Sequence, residues 1–78
     1  MNLYFFHLRN GEDVLLDGEG RQLPGLLAVA AAALYEARSI LSADVLDGTI
    51  DLEQRIEVVD EAGATVHTLQ FREALTIR

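Results

Sequence analysis

With 78 residues, the chain is long enough for one domain over residues 1–78, and a domain of this size buries only about 60–65% of its unfolded surface. It contains no cysteine, which excludes disulfides and cysteine-based zinc sites and leaves oligomerisation as a means of reinforcing a thin core. Six arginines, no lysine and thirteen carboxylates give a net charge of −7, which argues against binding to nucleic acid or to anionic membrane surfaces.

The N-terminal stretch predicts a β-hairpin. Leu3–Leu8 is dense in aromatic and β-favouring residues, which is typical of a strand. Asn10-Gly11 follows, and this dipeptide favours the centre of a type I′ turn, where both residues need a positive φ. We expect the return strand over Asp13–Asp17, followed by a loop at Asp17–Gly20.

A long helix is predicted over residues 24–46. Pro24 suits the first helical turn because its missing N–H is not needed there, and Asp47-Gly48 marks the end. One arc about 160° wide is apolar and is expected to cover a sheet; it consists of Leu26, Leu27, Val29, Ala30, Ala33, Leu34, Ala37, Ile40 and Leu41. The opposite side is small and mildly polar, which fits either exposed alanine or a second chain; it carries Ala28, Ala32, Tyr35, Ser39 and Ser42.

The last third of the chain predicts a second hairpin. Arg55–Asp60 alternates polar and apolar residues, Glu61–Gly63 turns the chain, and Thr65–Phe71 forms the return strand. Arg72–Arg78 fits one helical turn followed by a short strand.

The order ββαββ predicts an α+β, two-layer fold. We expect a four-stranded antiparallel sheet in the order 2-1-3-4, with one long helix on one face. Alternation along the first strand then places Tyr4, Phe6 and Leu8 under the helix. The open face of the sheet receives Leu3, Phe5 and His7.

Three short groups of residues follow one another along nearly the whole chain. They are Tyr4, Phe5, Phe6, His7 and Gly11, then Asp17, Gly20, Leu23 and Pro24, then Ile56, Val58, Asp60, Gly63 and Phe71. In these motifs and their spacing the chain resembles a family of short uncharacterised bacterial proteins that open with a Tyr-Phe-Phe-His-like strand. Gly25 departs from the pattern, which has Asp or a similar capping residue there; glycine caps a helix almost as well. The resemblance implies a fold and no catalytic residues, because the family is itself a domain of unknown function.

The two histidines are the candidates for chemistry. We interpret His7 as a half-buried residue that bonds to backbone or to a carboxylate. A pH-sensitive contact at a dimer interface and metal ligation or catalysis remain alternatives. His7 and His67 lie on predicted strands separated by one other strand, which puts their backbones roughly 9–10 Å apart. Their sequence spacing matches no known ligand motif.

No motif indicates an enzyme, because Ser39 and Ser42 lack a nucleophile elbow and the glycines form no phosphate loop. The apolar open face and the weakly polar helix back instead indicate a non-enzymatic protein–protein interaction module. We expect a homodimer, with an unidentified protein as a further partner and without a cofactor. The candidate interface residues are Leu3, Phe5, His7, Tyr35 and His67. The alternative is a small ligand- or metal-responsive binding protein that uses the two histidines.

The N-terminus does not read as a secretory signal peptide, because His7 and Arg9 interrupt it early. The longest uncharged run is Gln22–Tyr35, which is shorter than the roughly 20 residues that a membrane-spanning helix needs. We therefore expect a cytoplasmic protein that does not bind membranes.

Overall fold

The computed structural model describes residues 1–76 and shows an α+β fold, as predicted. One long helix packs on one face of an antiparallel sheet. The elements in chain order are β1 (Asn2–Asn10), β2 (Asp13–Leu15), β3 (Arg21–Leu23), α1 (Leu26–Leu46), β4 (Arg55–Asp60), β5 (Thr65–Gln70) and the 3₁₀ helix η1 (Phe71–Ala74).

Within the described residues the sheet has five strands, and the prediction of four was wrong. The strands β2-β1-β4-β5 are neighbours in this order, and β3 also pairs with β1. Both β2 and β3 lie along one edge of β1, β2 opposite residues 8–10 and β3 opposite residues 2–4. The predicted return strand therefore stops at Leu15, and the chain pairs with β1 again after a loop of five residues, 16–20.

The first hairpin turn differs from the predicted type. Asn10 pairs with Asp13, so Gly11 and Glu12 are the two central residues of the turn. Gly11 has a φ of 62°, and no residue other than glycine has a positive φ within residues 1–76. A positive φ at the first central residue alone is the type II′ pattern, in which glycine is favoured.

Helix α1 ends where the sequence predicts and begins two residues later. Gly25 is the N-cap and its carbonyl accepts a hydrogen bond from the N–H of Val29 at 3.1 Å, so Pro24 lies just outside the helix. At the other end Gly48 has a φ of 86°, and the N–H of Thr49 donates to the carbonyl of Asp44 at 3.0 Å. This reversed turn satisfies carbonyls that the last helical turn leaves open.

The core lies between α1 and the sheet. Tyr4 and Phe6 are buried on the helix side, as predicted, and Phe71 contributes its ring from η1 with no exposed area. The helix contributes Val29, Ala33, Ala37 and Leu41. Two alanines at the centre of this buried face let the helix backbone approach the sheet closely.

The C-terminal segment is partly as predicted. Phe71–Ala74 forms the expected single helical turn, and the Nε–H of Arg38 donates to the carbonyl of Ala74 at 2.9 Å. Leu75 is extended without strand pairing. The predicted short strand runs through Leu75 and Ile77, and Ile77 lies outside the described residues.

Candidate interaction surfaces

The open face of β1 carries three of the predicted interface residues. The register with β4 pairs Phe5 with Val59 and His7 with Glu57, on the face away from α1. The Phe5 and His7 rings stack, with centroids 6.5 Å apart and planes inclined by 15°. Leu3, Phe5 and His7 are each half-buried, so this face is neither bare nor fully enclosed.

The loop over residues 16–20 supplies part of that cover. A Cβ built on Gly20 would lie 2.9 Å from Leu3 Cδ1 and 3.0 Å from Phe5 Cε1, so the glycine backbone rests directly on these side chains. Gly20 also has a φ of 75°, which only glycine adopts at low cost. The chain itself therefore covers part of the apolar surface that the sequence suggested as a dimer interface.

Asp17 holds this loop in place through its carboxylate. Oδ2 accepts a hydrogen bond from the N–H of Phe6 at 3.1 Å, and Oδ1 accepts from the N–H groups of Glu19 and Gly20 at 3.0 and 3.1 Å. Partial burial raises the pKa of the Asp17 carboxyl, but these three hydrogen bonds and the nearby Arg21 outweigh burial and bring the pKa below its ordinary value. The carboxylate thus binds a backbone N–H on the edge of β1, in the part of that edge that pairs with neither β2 nor β3.

His7 bonds to the same loop. Its Nδ1 accepts a hydrogen bond from the N–H of Asp17 at 3.0 Å. In this contact Nδ1 is the acceptor, which leaves Nε2 as the ring nitrogen that can donate. His7 is therefore a half-buried histidine bonded to backbone, the first of the roles considered from the sequence.

His67 lies on the other side of the sheet. It pairs with Val58, whose side chain is fully buried under α1, whereas His7 pairs with Glu57 on the open face. The fold therefore does not bring the two histidines together. Among residues 1–76 no group of three or more His, Cys, Asp or Glu side chains could hold a metal ion.

The surface of α1 that faces away from the sheet is largely apolar. Leu27, Tyr35 and Leu46 are 91%, 74% and 87% exposed. Together with other exposed side chains at helical spacing they form a stripe, here called the α1 outer face, which consists of Leu27, Ala31, Tyr35, Arg38, Ser42 and Leu46. Of the five predicted interface residues, only Tyr35 belongs to it.

Sequence reasoning placed Leu26 and Leu27 in the apolar arc that covers the sheet, and this was wrong. Leu26 is 58% exposed as the first residue of the helix, and Leu27 is nearly fully exposed. At 100° per residue Leu27 lies about 100° from the centre of the buried face formed by Val29, Ala33, Ala37 and Leu41. On a wheel with about 3.6 residues per turn Leu27 falls at the edge of the apolar arc of about 160°, so the sequence pattern alone does not separate it from the core residues.

Two of the grooves that adjoin the helix lie beside its middle and its C-terminal half. One, of about 350 Å³, lies between α1 and β2; it is lined by Leu8, Leu15, Leu16 and Ile40, and the Arg21–Glu36 ion pair of 2.6 Å stands at its side. The other, of about 330 Å³, lies beside the C-terminal half of the α1 outer face; it is lined by Leu41, Val45, Ile50 and Leu75 together with Arg38, Ser42 and Leu46. Neither groove is lined by a histidine.

A family described as "Domain of unknown function (DUF6894)" matches residues 3–72. The chain belongs to this family. The match runs from β1 into η1, which confirms the resemblance to an uncharacterised family that the sequence motifs indicated. No curated protein and no solved structure matches the chain.

In this DUF6894 chain, α1 is long and apolar enough to cross a membrane, by length and composition alone. The same helix supplies the buried residues Val29, Ala33, Ala37 and Leu41 to the core. Core helices of soluble proteins meet the same criterion. What distinguishes α1 is that its other side, the α1 outer face, is also nearly free of charge.

Proposed function

We propose that this DUF6894 chain is a non-enzymatic protein–protein interaction module that self-associates through the α1 outer face. The observation that carries the proposal is the exposure of Leu27, Tyr35 and Leu46 along one side of a single helix. Exposed apolar side chains aligned along one element are a feature of protein interaction surfaces.

The charge distribution supports this surface over a solvated one. The chain has thirteen carboxylates, yet the α1 outer face has none, and its one charged residue is Arg38. The two acids on α1 have partners elsewhere: Glu36 pairs with Arg21 at 2.6 Å, and Asp44 accepts a hydrogen bond from Gln54 at 3.3 Å. A helix side that needed only to be soluble in so acidic a chain would be expected to carry acids.

A second copy is the partner that fits best. Two copies of a chain with net charge −7 repel each other unless they meet on a surface free of carboxylates, and the α1 outer face is such a surface. Ala31 and Ser42 are small and allow two helices to approach closely. The open face of the sheet is the weaker candidate, because Gly20 already rests on Leu3 and Phe5.

The size of the surface sets the expected strength. A helix of 21 residues is about 30 Å long, so a strip along it offers a few hundred Å². A standard stable interface buries about 800 Å² per partner. We therefore expect a dimer with a dissociation constant in the micromolar range or weaker, which dissociates on dilution.

Sedimentation equilibrium over a wide range of protein concentration tests the proposal. The wild type is expected to pass from monomer to dimer, and Ala31→Glu is expected to weaken the dimer by about tenfold or more, because it places a carboxylate on the α1 outer face. Ala62→Glu is the matched control, since it makes the same change at an exposed turn outside α1. A wild type that stays monomeric up to about 1 mM would contradict the proposal.

A membrane is the other surface that an apolar helix face could meet. Flotation with zwitterionic phosphatidylcholine vesicles separates the two cases. We expect the protein to stay with the soluble fraction. Co-flotation of the wild type that Ala31→Glu abolishes and Ala62→Glu retains would show that the same face binds lipid, and it would overturn self-association as the role of this face.

A further inference from the structure

We infer that the second copy docks antiparallel on α1, with Leu27 of each copy in the apolar groove of the other and Tyr35 of each copy against Arg38 of the other. This inference rests on the proposed self-association and adds its geometry. Three observations carry it: the spacing of the α1 outer face, the position of its one charge, and the groove at one end of it.

The residues of the α1 outer face have the same spacing whether they are counted from its N-terminal or its C-terminal end. From Leu27 to Leu46 the α1 outer face advances by steps of 4, 4, 3, 4 and 4 residues, with its midpoint between Tyr35 and Arg38. At 100° per residue the six positions fall within an arc of about 100°. In an antiparallel dimer, a two-fold axis perpendicular to the helix and level with this midpoint therefore brings each position of the stripe to the level of another stripe position in the second copy, which gives an isologous contact.

This axis brings compatible side chains together. It places Leu27 of one copy at Leu46 of the other and Ala31 at Ser42, so apolar ends flank small residues. At the centre Tyr35 meets Arg38, and a guanidinium over an aromatic ring is a favourable contact. A hydrogen bond of 2.9 Å from the Arg38 Nε–H to the carbonyl of Ala74 fixes the guanidinium beside the helix.

The parallel arrangement brings like groups together instead. There each residue meets its own copy, so the two Arg38 guanidiniums face each other at the centre of an apolar strip, where like charges are costly. Parallel helices also align their dipoles unfavourably, whereas antiparallel helices place opposite ends together. Charge therefore favours the antiparallel pairing.

The groove gives the antiparallel pairing a specific anchor. It measures about 330 Å³, and Val45, Ile50 and Leu75 line it beside Leu46. Leu27 lies at the opposite end of the helix and is 91% exposed. The antiparallel register brings each protruding Leu27 to the groove of the other copy, so one chain carries both the knob and the hole of the contact.

Cysteine cross-linking tests the register directly, because the chain has no cysteine of its own. A disulfide needs two Cα atoms within about 7 Å. A mixture of Ala31→Cys and Ser42→Cys chains is expected to give a disulfide-linked heterodimer under mild oxidation. Each variant alone is expected to give none, because its cysteine faces Ser42 or Ala31 of the second copy.

A matched pair of leucine variants tests whether Leu27 docks in the groove of the other copy. Leu27→Ala is expected to raise the dimer dissociation constant about 100-fold, since each dimer loses two buried leucine side chains. Leu26→Ala is the control: Leu26 is the adjacent residue and is also exposed, but lies on the other side of the helix. It is expected to change the constant by less than about threefold.

The outcomes separate this inference from the proposed function. A wild-type dimer in sedimentation together with cross-linking of Ala31→Cys alone would establish a parallel pairing and overturn the inference, while self-association stands. A wild-type dimer with equal effects of Leu26→Ala and Leu27→Ala would overturn the docking of Leu27. A wild-type monomer would overturn both.

Discussion

The Nδ1 atom of His7 accepts a hydrogen bond from the N–H of Asp17, and the Asp17 carboxylate accepts one from the N–H of Phe6, at 3.0 and 3.1 Å. The two bonds run in opposite directions between β1 and the loop over residues 16–20. They lie where the edge of β1 is paired with neither β2 nor β3. Side chains thus take over the pairing that an unbroken strand would have provided there.

His7→Phe is expected to lower the free energy of unfolding by about 1–2 kcal/mol, because it keeps an aromatic ring beside Phe5 but leaves the N–H of Asp17 without its acceptor. Urea denaturation followed by circular dichroism measures the loss. His67→Phe makes the same change at a half-buried histidine that accepts no backbone hydrogen bond within the described part of the chain. Equal losses in the two variants would show that the bond to Asp17 contributes nothing.

Asp17→Asn is expected to destabilise the fold by about 1–3 kcal/mol at neutral pH. The Asn amide keeps one acceptor oxygen. Its NH₂ group takes the place of the other carboxylate oxygen and faces a backbone N–H, so two donors meet and that hydrogen bond is lost. The measurement is the free energy of unfolding from urea titrations. A loss below about 0.5 kcal/mol would contradict the anchoring role of the carboxylate.

The same pair of proteins is expected to differ in pH dependence. The pKa of Asp17 in the folded chain lies below its ordinary value of 3.8, so its ionised form contributes stability above that value. This contribution is lost as the pH falls through the lower folded pKa. The stability gap between wild type and Asp17→Asn should therefore narrow between neutral pH and pH values below 3.8. A gap that stays constant would show that ionisation of Asp17 is not involved.

The sequence predicted the fold class because the strongest patterns are local. Arg55–Val58 alternates polar and apolar residues, the segment Arg55–Asp60 forms β4 with the predicted bounds, and Asp47-Gly48 ends α1. Arg21–Leu23 is too short to show any periodicity. Its pairing with β1 depends on the Asp17 carboxylate and on the positive φ of Gly20. These contacts join residues that are distant in sequence, so the residues of the strand itself show no pattern that predicts it.

The exposed residues of α1 were harder to predict for a related reason. Tyr35 stood out from the sequence because an aromatic residue interrupts a run of small side chains. Leu27 did not, since a leucine among leucines and alanines looks like core. The part of the helix that the sheet covers is decided by the placement of Val58 and Phe71, which contribute their side chains from β4 and η1.

Gly20→Ala is expected to cost about 2–4 kcal/mol in unfolding free energy. The new Cβ would lie 2.9 Å from Leu3 Cδ1 and 3.0 Å from the backbone oxygen of Tyr4, at a φ of 75°. Gly18→Ala is the control in the same loop, because no atom lies within 4 Å of its Cβ position and its φ is not positive. It should be neutral or stabilise by up to about 1 kcal/mol. Similar losses for both would mean that the loop does not rest on β1 in solution.

The small buried alanines let α1 approach the sheet closely, and a larger side chain in their place should be costly. Ala33 has no exposed area and lies at the centre of the buried helix face. Ala33→Leu inserts three carbon atoms between helix and sheet, so we expect a loss of about 1–3 kcal/mol from overpacking. Ala43→Leu makes the same change at an exposed position of α1 and should stay within about 0.5 kcal/mol of wild type. Urea titrations at low protein concentration measure both variants as monomers. Equal stability of Ala33→Leu and Ala43→Leu would contradict the close packing of α1 on the sheet that the burial of Ala33 indicates.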